Sequence, residues 1–239
     1  MDIKTRTILV VDSSASMLFY LGLLLQRLEY RVVTARSGED ALRMMNESMP
    51  VIVLTEVALP AMSGVALLKQ IKDSSASREL PVIMLTAEDD PEIKETCMRM
   101  GCAAYLHKPA VPDVLYRTIQ TALEFTPRTN IRLRTSLKVV VGDGSIRGGA
   151  VRTENVTAIS EGGLFIRTRY PQPRNAVIPL RILMSNREIV AIALVLYSYA
   201  QPEGPFNEPG MAMKFTPISD EDRALVRQFI REELTHDIA

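Results

Sequence analysis

The sequence predicts two folded halves: a doubly wound five-stranded parallel α/β sheet, then a small antiparallel β-barrel with a C-terminal helix. Three observations predict this. Up to residue 125, short unbroken apolar runs alternate with segments of helical period. From Arg132 onward the runs take on strand-like spacing, broken by Gly and Pro. The chain, at 239 residues, is longer than one typical domain.

In the first half, strands are expected at Thr7–Val11, Arg31–Thr34, Val51–Leu54, Val82–Leu85 and Ala103–Leu106. These runs are short and rich in β-branched residues, as strands covered on both faces should be. Helices are expected at Met17–Leu28 (capped by Ser14 or Ser16), Gly38–Met45 after Ser37, Val65–Lys72, Pro91–Met100 and Pro112–Phe125. Pro91 and Pro112 suit a first helical turn, where the missing N–H has no partner to lose. Strands alternating with helices give a parallel sheet, whose functional crevice lies at the carboxyl ends of its strands.

The halves meet at Thr126-Pro127, giving domains 1–125 and 126–239. In the second half, strands are expected at Ser136–Val141, Ala150–Asn155, Gly163–Thr168, Val177–Met184, Glu188–Tyr199 and Met211–Phe215. Gly142-Asp143-Gly144 is a strong turn signal. Asp220–Glu233 reads as an amphipathic helix capped by Ser219, with Asp222 at the third helical position. Six short strands and one helix argue for a small barrel.

Composition excludes several classes. Hydrophobic content of 47% with 23% charged residues is ordinary for globular domains. Formal net charge is +0, but residues 1–124 carry 13 Lys+Arg against 16 Asp+Glu, and residues 125–239 carry 15 against 12. Six cations of the second half, Arg128, Arg132, Arg134, Lys138, Arg147 and Arg152, fall within 25 positions. They suggest an anion-binding patch or, more blandly, a solvated basic face. Two Cys (Cys97, Cys102) and two His (His107, His236) are too few for a zinc site or disulfide framework. Both cysteines are expected to pack as small hydrophobes. The N-terminal apolar stretch is too short for a signal peptide, and no 18-residue apolar run exists, so a cytoplasmic protein without membrane insertion is expected. The apolar run Ile189–Leu196 is read as a barrel strand. No nucleophile–base pair or carboxylate/His cluster suggests an enzyme, and no recognition-helix pattern suggests DNA binding.

Asp12 ends the first expected strand, Glu56 follows the third, Thr86 the fourth and Lys108 the fifth. With the Pro60/Gly64 loop and Lys108-Pro109, these residues resemble the receiver domain of bacterial response regulators over residues 5–125. The resemblance implies a site where two acidic residues after the first strand, with an aspartate after the third, hold magnesium. That aspartate takes phosphate from a histidine kinase. Thr86 and Lys108 would contact the phosphate, and Tyr105 would be the aromatic that reorients. Two departures bear on this chemistry. Ser13 reduces the acidic pair to one carboxylate, and Glu56 is one methylene longer than aspartate. Magnesium demands near-octahedral oxygen ligation and is usually held by one or two carboxylates. Only a weak residual site at Asp12 and Glu56 is therefore expected, and a Glu56–Lys108 pair forms without phosphate. The reading is a degenerate phosphoacceptor site fixed in one state, or a docking module. The resemblance also implies homodimerisation through the last two receiver helices and the strand between them. Leu115, Tyr116 and Ile119 on the last helix are read as facing a partner, as the alternative to core filling.

The second half is similar to PilZ domains over about residues 128–235. Arg128-Thr129-Asn130-Ile131-Arg132 gives an R-x-x-x-R element ahead of the first barrel strand, and the turn Ile159–Ile166 resembles a [D/N]-x-S-x-x-G motif. The resemblance implies cyclic di-GMP as ligand, with Arg128, Arg132, Ser160 and Gly163 as contacts. Arginine suits this ligand, pairing bidentately with phosphates and with guanine O6/N7 and stacking on bases. Ala158 stands where the motif has an acid or amide. One lost hydrogen bond costs about 1–3 kcal/mol, or roughly 5- to 150-fold in affinity. The expected function is a signal-transduction protein that senses cyclic di-GMP and signals by contact with a partner protein. The alternatives are an adaptor without nucleotide and a phosphorylation-controlled regulator.

Overall fold

A computed structural model describes residues 6–124, 130–145, 149–184, 187–203, 207–216 and 218–236. The chain divides into two compact units, residues 1–129 with 235–239, and residues 130–234. The expected boundary at 125/126 lies outside the described residues.

The first unit is a parallel sheet in the order β2-β1-β3-β4-β5. Its strands are β1 (Thr7–Val11), β2 (Arg31–Ala35), β3 (Ile52–Thr55), β4 (Val82–Thr86) and β5 (Ala104–His107). The helices between them are α1 (Ala15–Arg27), α2 (Gly38–Glu47), α3 (Gly64–Asp73), α4 (Pro91–Arg99) and α5 (Pro112–Leu123). Strand order reverses between β1 and β3, which sets a crevice at their carboxyl ends. Every residue of β3 and β4 is buried, the signature of central parallel strands covered on both faces. Ser14, not Ser16, caps α1, its hydroxyl accepting from Met17 N at 3.3 Å. Ser37 caps α2 and Ser63 caps α3 in the same way. Pro91 and Pro112 each open their helix.

Cys97 and Cys102 are both buried. Burial pushes the Cys102 thiol up to about 11, which keeps it inert at neutral pH. Leu115, Tyr116 and Ile119 are buried on α5 and do not face a partner. The helical period of α5 places them on its inner face, whereas Val114 is exposed.

The second unit is a closed antiparallel barrel in the order β10-β11-β8-β7-β6-β9. It comprises β6 (Leu133–Val141), β7 (Arg152–Ser160), β8 (Gly163–Arg167), β9 (Val177–Met184), β10 (Arg187–Tyr199) and β11 (Gly210–Phe215). Helix α6 (Asp220–Thr235) follows. The Ser219 cap expected at its start is present: Ser219 Oγ accepts from Asp222 N at 3.0 Å, and it donates to Asp222 Oδ2 at 2.7 Å in place of a reciprocal bond to the cap's own N–H. β7 runs five residues beyond its expected end, so Ala158 and Ser160 lie on a strand and only Glu161-Gly162 form the turn. The inward positions Val156 and Ala158 carry the strand that far.

Backbone passes within 2.2 Å of a would-be Cβ at three glycines, Gly64, Gly163 and Gly210. A Cβ on Gly163 would lie 2.1 Å from Met213 O, and one on Gly64 would lie 2.0 Å from Glu56 O. Gly64→Ala should therefore force the loop after β3 to shift. We expect a loss of about 1–3 kcal/mol in the unfolding free energy of the first unit, measured by chemical denaturation.

Candidate functional site

Four strand ends converge at the carboxyl edge of the sheet. Asp12 follows β1 and Glu56 follows β3, while Thr86 closes β4 and Lys108 follows β5. Asp12, Glu56 and Thr86 are buried. Two charged carboxylates below the surface require compensation, and Lys108 supplies it. Its ammonium donates to Asp12 Oδ2 at 2.5 Å and also to Glu56 Oε2. The remaining oxygens are met by backbone. Asp12 Oδ1 accepts from Ser14 N at 2.8 Å, and Glu56 Oε1 accepts from Val57 N at 2.6 Å and Ala58 N at 3.3 Å. The extra methylene of glutamate lets one carboxylate reach back to the loop and forward to Lys108 together.

Electrostatics follow from this geometry. Burial pushes the Glu56 carboxyl up, but the Lys108 ammonium, the Thr86 hydroxyl and the Ala58 N–H outweigh it and hold the group below its ordinary 4.5. Glu56 is therefore a carboxylate at neutral pH. The carboxylate oxygens at this edge face the Lys108 ammonium, and Ser13 adds no further charge. Among the described residues no group of three or more Asp, Glu, His or Cys is arranged to hold a metal ion. Tyr105 is buried and donates its hydroxyl to Glu88 O at 3.4 Å. Thr86 Oγ1 accepts from Glu88 N at 3.1 Å, so the same loop ties to both residues.

In the barrel, Ser160 and Gly163 face each other across the β7–β8 hairpin, and Ser160 Oγ donates to Gly163 O at 3.1 Å. Gly163 is required by the approach of β11, whatever it binds. Ala158 packs with Phe165 and Ala212 in an apolar cluster, so this position adds no polar group. Arg132 is exposed just before β6, and Arg128 lies outside the described residues. Asn130 Nδ2 sits 3.3 Å from where a Cβ of Gly162 would lie. The segment carrying Arg132 thus runs beside the hairpin carrying Ser160. Sequence reasoning missed the pair Arg227–Glu161, at 2.8 Å, which ties α6 to this hairpin. The only signal for it was an acid in the turn and a base on the helix.

A buried carboxylate pair and lysine at the switch point of a parallel sheet, followed by a closed barrel, define a two-component signalling regulator. The chain belongs to the response regulators: residues 8–120 match the response regulator receiver domain and residues 124–232 the PilZ domain. Both are non-catalytic regulatory domains. The chain is 33% identical over 126 residues to the "Probable transcriptional regulator ycf27" of Guillardia theta, covering 52% of this chain and 48% of that protein. It is 32% identical over 123 residues to a "Probable cyclic di-GMP phosphodiesterase" of Vibrio cholerae, covering 52% and 28%. It is 32% identical over 111 residues to the "Two-component response regulator ORR3" of Oryza sativa subsp. indica, covering 46% and 85%. The chain spans less than half the length of the first two.

A depressed carboxyl adds stability that is complete above its unfolded value and is lost as pH falls through its folded value. Glu56→Gln should therefore destabilise the receiver domain by about 1.5–3 kcal/mol at pH 7, the range for a hydrogen bond involving charged groups. The difference from the parent should shrink once pH drops below 4.5, read from denaturation midpoints across pH.

Proposed function

We propose that the receiver domain is a pseudo-receiver held in one state without phosphate, and that the PilZ domain binds cyclic di-GMP. The protein acts in the cytoplasm as a non-enzymatic signalling component and passes its signal by contact with a partner protein. One observation carries the first part: Lys108 is already neutralised by Asp12 and Glu56. In the family this lysine contacts the incoming phosphate, and here its charge is satisfied before any phosphate arrives. Buried Tyr105 belongs to the same fixed arrangement, since the loop that accepts its hydroxyl also bonds Thr86. Magnesium has no part in this reading.

The second part is supported by the PilZ match and by the arginine-bearing segment lying beside the Ser160 hairpin. Arg128 and Arg132 would grip the phosphates and guanine edges, with Ser160 on the hairpin below. Ala158 weakens the site and leaves a ligand of micromolar strength.

Two measurements check these readings. A small-molecule acyl phosphate with magnesium should leave the parent unlabelled, whereas Ser13→Asp/Glu56→Asp should acquire a phosphoryl group, read by intact mass. Labelling of the parent would refute the pseudo-receiver. Calorimetric titration of cyclic di-GMP should give micromolar binding that Arg128→Ala/Arg132→Ala abolishes. No heat at high ligand excess would instead leave an adaptor that binds no nucleotide.

A further inference from the structure

The outer face of the barrel at β9 and β10 is apolar and uncovered. Along β10, Ile189, Ala191, Ala193 and Val195 are buried inside, so Glu188, Val190, Ile192, Leu194 and Leu196 point out. Along β9, Ile178, Leu180 and Ile182 point in, so Val177, Pro179, Arg181 and Leu183 point out. Register sets these side chains in rows: Glu188 beside Leu183, Val190 beside Arg181, Ile192 beside Pro179 and Leu194 beside Val177. Val140 of β6 extends the Arg181 row, and Lys214 of β11 flanks Leu194. Val177, Leu183, Val190, Ile192 and Leu196 are 40% to 67% exposed. Contiguous apolar patches of this kind on a soluble domain mark interaction sites.

Three features select the occupant. The face is a ladder of paired apolar rows across β9 and β10, so it suits another sheet better than a helix. Its outward positions carry no Trp or Tyr, the residues that seat a surface at a bilayer interface. Its central charges cancel, with Arg181 Nη1 3.4 Å from Glu188 Oε1.

We propose that this face joins two copies of the chain, sheet against sheet, about a two-fold axis crossing β10 at Ile192. Such an axis sets Ile192 on its own copy, Val190 on Leu194 and Arg181 on Val177. It carries Glu188 over Leu196 of the second copy and diagonally beside that copy's Lys214, so opposite charges meet and like charges do not. Three strands about 4.8 Å apart, over roughly nine residues at about 3.4 Å each, give about 400 Å² of flat area per copy. That lies toward the small end of specific interfaces, under about 1,200 Å² in total. The dimer is therefore weak and concentration-dependent.

Sedimentation equilibrium of the full chain over a wide concentration range tests this. The parent should show a reversible monomer–dimer equilibrium. Val190→Lys/Ile192→Lys should weaken it by about tenfold or more, with circular dichroism and melting unchanged because both positions face outward. Glu188→Lys alone should weaken the dimer, and adding Lys214→Glu should restore it. Val114→Lys, on exposed α5 of the receiver, should leave it intact. A parent that stays monomeric overturns the proposal, as does a dimer indifferent to Val190→Lys/Ile192→Lys or lost in Val114→Lys. Failure of Lys214→Glu to rescue overturns the two-fold arrangement.

Discussion

The Lys108 ammonium between the Asp12 and Glu56 carboxylates is the interaction on which the receiver site depends. Each of its three groups is carried by a different strand end, so the contact pins β1, β3 and β5 at the edge where the sheet opens. Removing Lys108 would leave two buried carboxylates without their countercharge, which is why the arrangement holds as a unit. Glu56, one methylene longer than aspartate, meets Lys108 with one oxygen and is anchored at the other by the Val57 and Ala58 N–H groups.

The barrel follows a different logic. Its glycine at 163 answers to the carbonyl of Met213, and its serine at 160 is engaged with the hairpin. Ala158, where the motif has an acid or amide, packs against Phe165 and Ala212.

Much of this was legible in the sequence because parallel strands announce themselves. Runs such as Ile52–Thr55 and Val82–Thr86 are apolar on both faces, and their ends place Asp12, Glu56, Thr86 and Lys108 together before any coordinates are known. Ser219 and Asp222 likewise spell their own cap. What remained hidden is tertiary. β7 passes through Ala158 to Ser160, though Ser160-Glu161-Gly162-Gly163 resembles a longer turn. α5 has apolar residues around much of its circumference, and only packing shows that Leu115, Tyr116 and Ile119 turn inward while Val114 turns out. The run Ile189–Leu196 reads as a barrel or sandwich strand, apolar on both faces. In an antiparallel barrel just one of its two faces can be inside, and the sequence does not say what meets the other. The direction of the Glu56 carboxylate, back to its own loop and across to Lys108, is a matter of rotamer and backbone that no spacing encodes.

A fixed receiver depends most directly on the state of Lys108, and nitrogen-15 lysine-edited NMR of the receiver site would read it. A protected Lys108 Nζ resonance, displaced from those of solvent-exposed lysines, unmoved by millimolar magnesium and altered by Glu56→Gln, is the predicted result. An Nζ that exchanges like a surface lysine, or that shifts as magnesium is added, would contradict the clamp and with it the fixed receiver.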